Sequence, residues 1–430
     1  MSADLLLADA RVPAALLEPP PPGDLAEVAI EITAGRVDAL HPAGRGQGRE
    51  RRDLAGGLVF PCFVDCHTHL DKGHIWPRAA NPDGTFASAL ASVQADRQAH
   101  WTAADVRARM DFGLRCAFAH GTAAIRTHLD SLPPQDAISW DVFAEVRQAW
   151  AGRIALQAVS LVPLDFFADR AAGAALADRV ATHGGVLGGV AYIHPELETL
   201  LDRVFALATE RGLALDFHVD ESLVPGAQAL AAIARAKLRH RFEHPVLCGH
   251  CCSLAVHAPH VRAATLALCA EAGLAVVTLP MCNLYLQDRA PARPATPSLR
   301  GVTLVHELAA AGVPVAVASD NCRDPFYAYG DHDVLEVFRE FVRIAHADHP
   351  IGAWPLAVTA TPAAIMGLGD RCGRIGPGRP ADLILFRARG WTELLARPQS
   401  DRVVLRAGRP IDTTLPDYAE LDAVVGGRGA

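Results

Sequence analysis

The stretch "FVDCHTHLDKGH", residues 63–74, ends a short apolar run with His67, His69 and His74, set among Asp65 and Asp71. In an extended strand residues i and i+2 share a face, so His67 and His69 project together. Two neutral imidazoles on one face suit Zn²⁺ or Fe²⁺. Three further apolar runs end in side chains of the same kind. "ALDFHVDE" ends in His218 with Asp220 and Glu221 after it, "VLCGHCCS" carries His250, and "VAVASDN" reaches Asp320 and Asn321. Any one of these alone reads as a satisfied polar group at a strand end. Taken together, they read as one site.

The chemistry assigns roles. His67, His69, His218 and Asp320 can hold one divalent ion, Zn²⁺ or Fe²⁺, and leave a position for water, whose pKa the ion lowers toward neutrality. Glu221 is the expected proton shuttle, because a carboxylate can accept a proton and then donate it. His250 polarises the attacking water or joins the ion's ligands, and Asp320 can also accept a proton. A two-metal site would need a carboxylated lysine on a central strand. The only lysines are Lys72, after the first strand, and Lys237, inside a helix, so a single ion is expected. His128 and Asp130 end another run and can contact a ligand, as can Asn283, Gln287 and Arg289. His74 reads as a loop residue.

The elements that must position these groups follow from periodicity. Strands are expected at 63–66, 123–128, 155–161, 188–193, 214–218, 246–249, 275–279 and 315–319. Helical patterns lie between them, such as "LETLLDRVFALATERG", closing on a Gly C-cap. Eight strands alternating with helices predict a parallel (β/α)8 barrel, whose active site belongs at the C-terminal strand ends. Short β-like runs at both chain ends, among them "EVAIEITAGRVDAL", "ADLILFRA" and "RVVLRAGRPI", predict a small β-sandwich built from the two termini. The expected organisation is 1–60 as the first part of the sandwich, 61–370 as the barrel and 371–430 as the second part. The Ala/Pro-rich stretch 290–297 is expected to loop over the barrel mouth.

Composition narrows the classes. Half of the 430 residues are apolar and a fifth are charged, enough to bury a large core. No run of 18 apolar residues suggests a membrane span, and the N-terminus lacks the features of a signal peptide. The net charge of −8, with both signs mixed, excludes the basic stripe of a nucleic-acid groove. The ten cysteines are expected as reduced packing residues of a cytoplasmic protein.

These motifs resemble the amidohydrolase superfamily, and within it the cytosine deaminase-like branch. The resemblance rests on "FVDCHTHLDK", "RTHLD", "DFHVDE", "GHCCSL", "NLYLQDR", "SDNCRDPFYAYG" and "GRPADLILF", in order from about residue 57 to 387. It implies a distorted TIM barrel with a terminal β-sandwich, metal ligation by His67, His69, His218 and Asp320, and catalysis by Glu221 and His250. The implied reaction is hydrolytic deamination of a small N-heterocycle, releasing ammonia; homo-oligomers are compatible with it. The chain departs from the branch at substrate-reading positions. Asn321 replaces the second acid of an acidic pair, and Phe326 stands where a Trp is expected. "SLVPLD" offers Val162, Pro163 and Leu164 where a glutamine should read the ring. Cytosine itself is therefore expected to be a poor substrate, and a ring with a bulkier or apolar edge a better one. "HTHLDK" and "SDNCRD" also resemble the branch acting on N-alkylaminotriazines, which makes alkylamine release the rival reaction. Glu221 favours deamination over it, and Glu221 with His250 favours an enzyme over a barrel that merely binds a heterocycle or metal.

Overall fold

Each of the eight apolar runs forms a strand: β1 Phe63–Thr68, β2 Thr122–Asp130, β3 Ala155–Leu161, β4 Leu187–Ala191, β5 Leu215–Val219, β6 Val246–His250, β7 Ala275–Thr278 and β8 Val315–Val317. The structure is a computed structural model that describes residues 3–289 and 295–426. Strands β1, β2 and β3 lie side by side in one sheet, and β4 to β8 follow one another in a second. All registered pairs of the second sheet are parallel. Single parallel bridges join the two arcs, Val159 to Val186 and Pro163 to Val190 on one side and Thr68 to Asp320 on the other. The eight strands thus close into the parallel α/β barrel that the alternation predicts.

The intervening helices bury one face, as their sequences require. Leu197–Arg211 buries Leu200, Leu201, Val204, Phe205 and Ala208, which recur at helical spacing. It stops at Gly212, whose φ of 64° suits a residue without Cβ. Within the barrel, Gly188 of β4 is dictated by close approach. A Cβ there would lie 2.3 Å from the Asp216 carbonyl oxygen and 2.5 Å from Val159 Cγ1.

By its contacts the chain divides into two compact units. One takes residues up to Asp65 with 115–124 and 332–416, and the other takes 66–114, 125–331 and the residues from Asp417 onward. The first unit holds two four-stranded sheets. One contains strands Ala3–Pro13, Leu25–Thr33, Arg36–Pro42 and Gly48–Asp53, and the other pairs Val59–Pro61 with Leu383–Leu385, followed by Val403–Arg406 and Arg409–Pro410. The second sheet therefore draws on both ends of the chain. In the same unit Arg402 clamps Asp333 with two hydrogen bonds of 2.7 and 2.6 Å, and Asp333 caps the helix Val334–Ala345.

The ten cysteines are free thiols, nine of them buried. Among the described residues no helix is long and apolar enough to cross a membrane. Of the stretch 290–297, residues 290–294 lie outside the described residues, and 295–297 carry no regular secondary structure. Because Gly188 has no room for a methyl group, Gly188→Ala should destabilise the fold by roughly 1–3 kcal/mol through overpacking. Chemical denaturation measures this, and an unchanged midpoint would contradict the packing described.

Candidate metal centre and active site

The residues singled out from four strand ends converge. One ligand atom each from His67, His69, His218 and Asp320 lies within 4.8 Å of all the others, and all four residues are buried. His218 Nε2 stands 3.2 Å from His69 Nε2, and Asp320 Oδ1 stands 3.2 Å from His69 Nε2 and 3.5 Å from His67 Nε2. β1 supplies both first histidines, and the Thr68–Asp320 bridge sets Asp320 beside them, with its N–H donating to the His67 carbonyl at 2.9 Å. Asp320 and His250 have φ near +65°, and Asp220 has φ 46°. Three strand ends therefore turn through left-handed backbone, which Asp and His adopt more readily than most residues.

The cluster fits a divalent cation. Burial, above all, holds the His67, His69 and His218 imidazoles well below their ordinary pKa, with neighbouring histidines and, for His69 and His218, Lys72 adding to the effect. They are neutral, as metal ligation requires. Neither ring nitrogen of His67 has a hydrogen-bond partner, nor has Nδ1 of His69 or of His218. Two nitrogens about 2.0–2.1 Å from one Zn²⁺ lie roughly 3.3 Å apart at tetrahedral angles, close to the His69–His218 separation.

Glu221 and His250 stand beside this cluster as a pair, 3.3 Å apart between Oε1 and Nδ1. Asn283 Nδ2 lies 3.0 Å from His250 Nδ1 and 3.3 Å from Glu221 Oε1. As the amide nitrogen can only donate, His250 Nδ1 accepts, which leaves the ring proton on Nε2. That nitrogen has no protein partner. Burial, and then His128, pushes His250 down to about 3, so its ring is neutral. Burial, and then the Asp320 carboxylate, holds Glu221 well above the usual carboxylate range. Gln287 Nε2 donates to the Glu221 carbonyl at 3.3 Å and fixes the backbone behind the acid.

A cavity of about 640 Å³ opens onto the cluster. His69, His218, Glu221 and His250 line it together with Asn321 and Phe326. At the end of β3 its wall is Leu161, Val162 and Pro163. Other residues expected to touch a ligand lie elsewhere. Asn283 and Gln287 are not part of the lining and stand behind the Glu221–His250 pair. His128 is fully buried, with its ring 4.0 Å from that of His67 and its Nε2 3.3 Å from Asp216 Oδ1. Asp216 also takes Arg126 at 3.0 Å, so this trio forms a polar floor next to His67. Asn321 donates to Asp324 Oδ2 at 2.7 Å, and that amide proton is already committed.

The Amidohydrolase family model matches residues 158–414. A pterin deaminase of Rhizobium rhizogenes (strain K84) is 55% identical over 429 residues, covering 99% of this chain and 98% of that one. The chain belongs to the amidohydrolase family. Among solved structures, a 5-methylcytosine deaminase from Klebsiella pneumoniae superimposes with a TM-score of 0.81 at 23% identity, covering 96% of this chain and 98% of that one. An N-isopropylammelide isopropylaminohydrolase from Burkholderia multivorans gives 0.74 at 28% identity, covering 95% and 98%.

Sequence reasoning passed over part of this amidohydrolase's cavity. Lys72, Arg97, Gln94 and the apolar stripe Phe86, Leu90 and Val93 of helix α1 (Phe86–His100) all line it. The stripe's spacing of four and three residues was a usable signal; the course of the loop carrying Lys72 was not. One expectation follows from Asn283. Its loss strips a hydrogen bond from both Glu221 and His250 without touching the cavity, so Asn283→Ala should lower kcat roughly tenfold to a hundredfold, with KM and bound metal little changed. Steady-state kinetics with elemental analysis checks this, and unaltered kcat would show that the Asn283 hydrogen bonds do not bear on turnover.

Proposed function

We propose that this amidohydrolase is a metal-dependent deaminase of pterin-type rings. It exchanges the exocyclic amine of a 2-amino-4-oxopteridine for oxygen, with water consumed and ammonia released. The observation that carries the reaction class is the placement of Glu221 and His250 on the wall of one cavity beside three neutral imidazoles and a carboxylate. A hydrolase acting on the C–N bond of a cyclic amidine needs that combination. The ring itself is inferred from the 55% identical pterin deaminase and from the cavity. Its 640 Å³ lies well inside the roughly 300–1,000 Å³ of sites for drug-sized ligands. A single pyrimidine ring would leave much of it empty, whereas a fused bicycle can lie against Leu161, Val162 and Pro163.

His67, His69, His218 and Asp320 are the residues proposed to hold the ion. A divalent ion bound there supplies Lewis-acid activation of water at neutral pH. Glu221 enters protonated, because burial and Asp320 keep it so, and gives its proton to the ring nitrogen beside the amine-bearing carbon. That carbon becomes the better electrophile. The Glu221 carboxylate then accepts a proton from the attacking water and passes it to the amine, which departs as ammonia; as the ring carbonyl forms, the remaining hydroxyl proton returns to Glu221 and restores its protonated state. His250 presents its Nε2–H to the oxygen that develops charge, and Asn283 holds that tautomer. Asn321 and Phe326 bound the space around the ring.

Two outcomes test the reading. Purified metal-loaded protein should release ammonia from pterin with a kcat/KM roughly tenfold to a hundredfold above that for cytosine, because the apolar β3 end packs against a second ring that cytosine lacks. Cytosine turned over as well as pterin would contradict the ring assignment. Glu221→Gln should keep the metal and lose roughly 10²–10⁴-fold in kcat, since an amide preserves shape and carries no transferable proton. A variant with wild-type kcat would move the proton shuttle to another group.

A further inference from the structure

Lys72 is the one buried ammonium on the cavity wall, and the reaction outlined above does not use it. Its side chain is almost fully buried, with Nζ 2.9 Å from Asp130 Oδ1 and 5.5 Å from the centre of the Phe326 ring. An ammonium carries three donors. Asp130 takes one, and no other hydrogen bond or ion pair of Lys72 occurs among the described residues. The remaining donors sit in a wall that also contains His69, His218, Glu221 and Phe326. A buried cation with unspent donors is costly unless a ligand supplies an acceptor.

The surrounding structure holds this cation in place. Arg97 donates to Asp130 Oδ2 at 3.0 Å, so Asp130 lies between two cations. The Asp130 N–H donates to Asp71 Oδ2 at 2.8 Å, which also accepts from Ser139 at 3.2 Å. The loop itself is fastened from behind, where the fully buried Arg109 donates to the carbonyls of Asp71 and Gly73 and pairs with Asp105. Lys72, Arg97 and Asp130 together leave a positive wall, with Asp130 kept ionised by Lys72 and Arg97. The chain thus has an anchored donor on the loop after β1, while the end of β3 offers only Leu161, Val162 and Pro163.

We propose that Lys72 is the substrate-contacting residue that selects rings with a carbonyl beside the reacting amidine, its Nζ donating to the carbonyl oxygen. The proposal rests on the deaminase reading and deepens it. On a 2-amino-4-oxopteridine the acceptor is the 4-oxo group. Glu221 would serve the amidine nitrogen, and Lys72 would serve the oxygen one atom further along the ring.

The test compares rings with and without that oxygen. Titration calorimetry on the metal-loaded Glu221→Gln protein gives affinities for pterin against 2-aminopteridine, and for isocytosine against 2-aminopyrimidine. The expected result is a carbonyl advantage of roughly tenfold to a hundredfold. In a Lys72→Met, Glu221→Gln double variant that advantage should collapse toward parity while affinity for the carbonyl-free rings stays within about threefold, a split that a merely structural role would not give. Lys72→Arg should restore part of it. No carbonyl advantage in the protein bearing Lys72, or an equal loss for all four rings on removing Lys72, overturns the proposal. The first of these outcomes needs no Lys72 variant to fold. Ammonia release by the wild-type protein is scored separately, so a carbonyl preference without turnover would sink the deaminase reading and leave the Lys72 contact standing.

Discussion

Three imidazoles and a carboxylate packed within 4.8 Å of one another, away from water, form the constraint on which this molecule depends. Burial keeps the rings neutral and leaves several nitrogens without partners. Such groups are tolerated in a protein interior only if something compensates them. A divalent cation does so directly, since it takes the lone pairs and answers the carboxylate charge. The acid–base role proposed for Glu221 and His250 follows from this, because a water activated by a cation needs a nearby group to take its proton.

The parallel barrel makes this packing attainable. Its strands carry polar residues at their C-terminal ends, so groups far apart in sequence meet without any long loop having to order itself. The Thr68–Asp320 bridge matters most, because it closes the barrel and sets the carboxylate beside the histidines in one stroke. Left-handed backbone at Asp220, His250 and Asp320 costs roughly 1–3 kcal/mol at each position. The same strand ends hold the site, so strain and function coincide here. Beside the cluster, Arg126 and His128 both reach the Asp216 carboxylate and form a buried polar layer.

Much of this was legible in the sequence, for a physical reason. Apolar runs of strand length separated by helical periodicity give the barrel directly, and His or Asp at the ends of those runs gives the cluster. Boundaries slipped by a residue or two, as at β8, which stops at Val317 before the turn through Asp320. What could not be read was depth. Asn283, Gln287 and His128 have side chains able to hold a ring, and only their packing shows that they stand behind the wall. Lys72 was the converse case. Sequence shows a lysine in a loop, but its place on the wall is set by Arg109 and Asp130, which periodicity does not connect to it. Strand patterns report local burial, whereas side chains on loops take their positions from distant partners.

The central claim is that the four clustered side chains exist to hold one ion. Titrating Zn²⁺ into the chelator-stripped chain, with calorimetry and elemental analysis read together, tests it most directly. The account predicts one tightly bound ion per chain, and none in a chain carrying both His67→Ala and His69→Ala. Two ions per chain, or tight binding unaffected by losing both histidines, would contradict it.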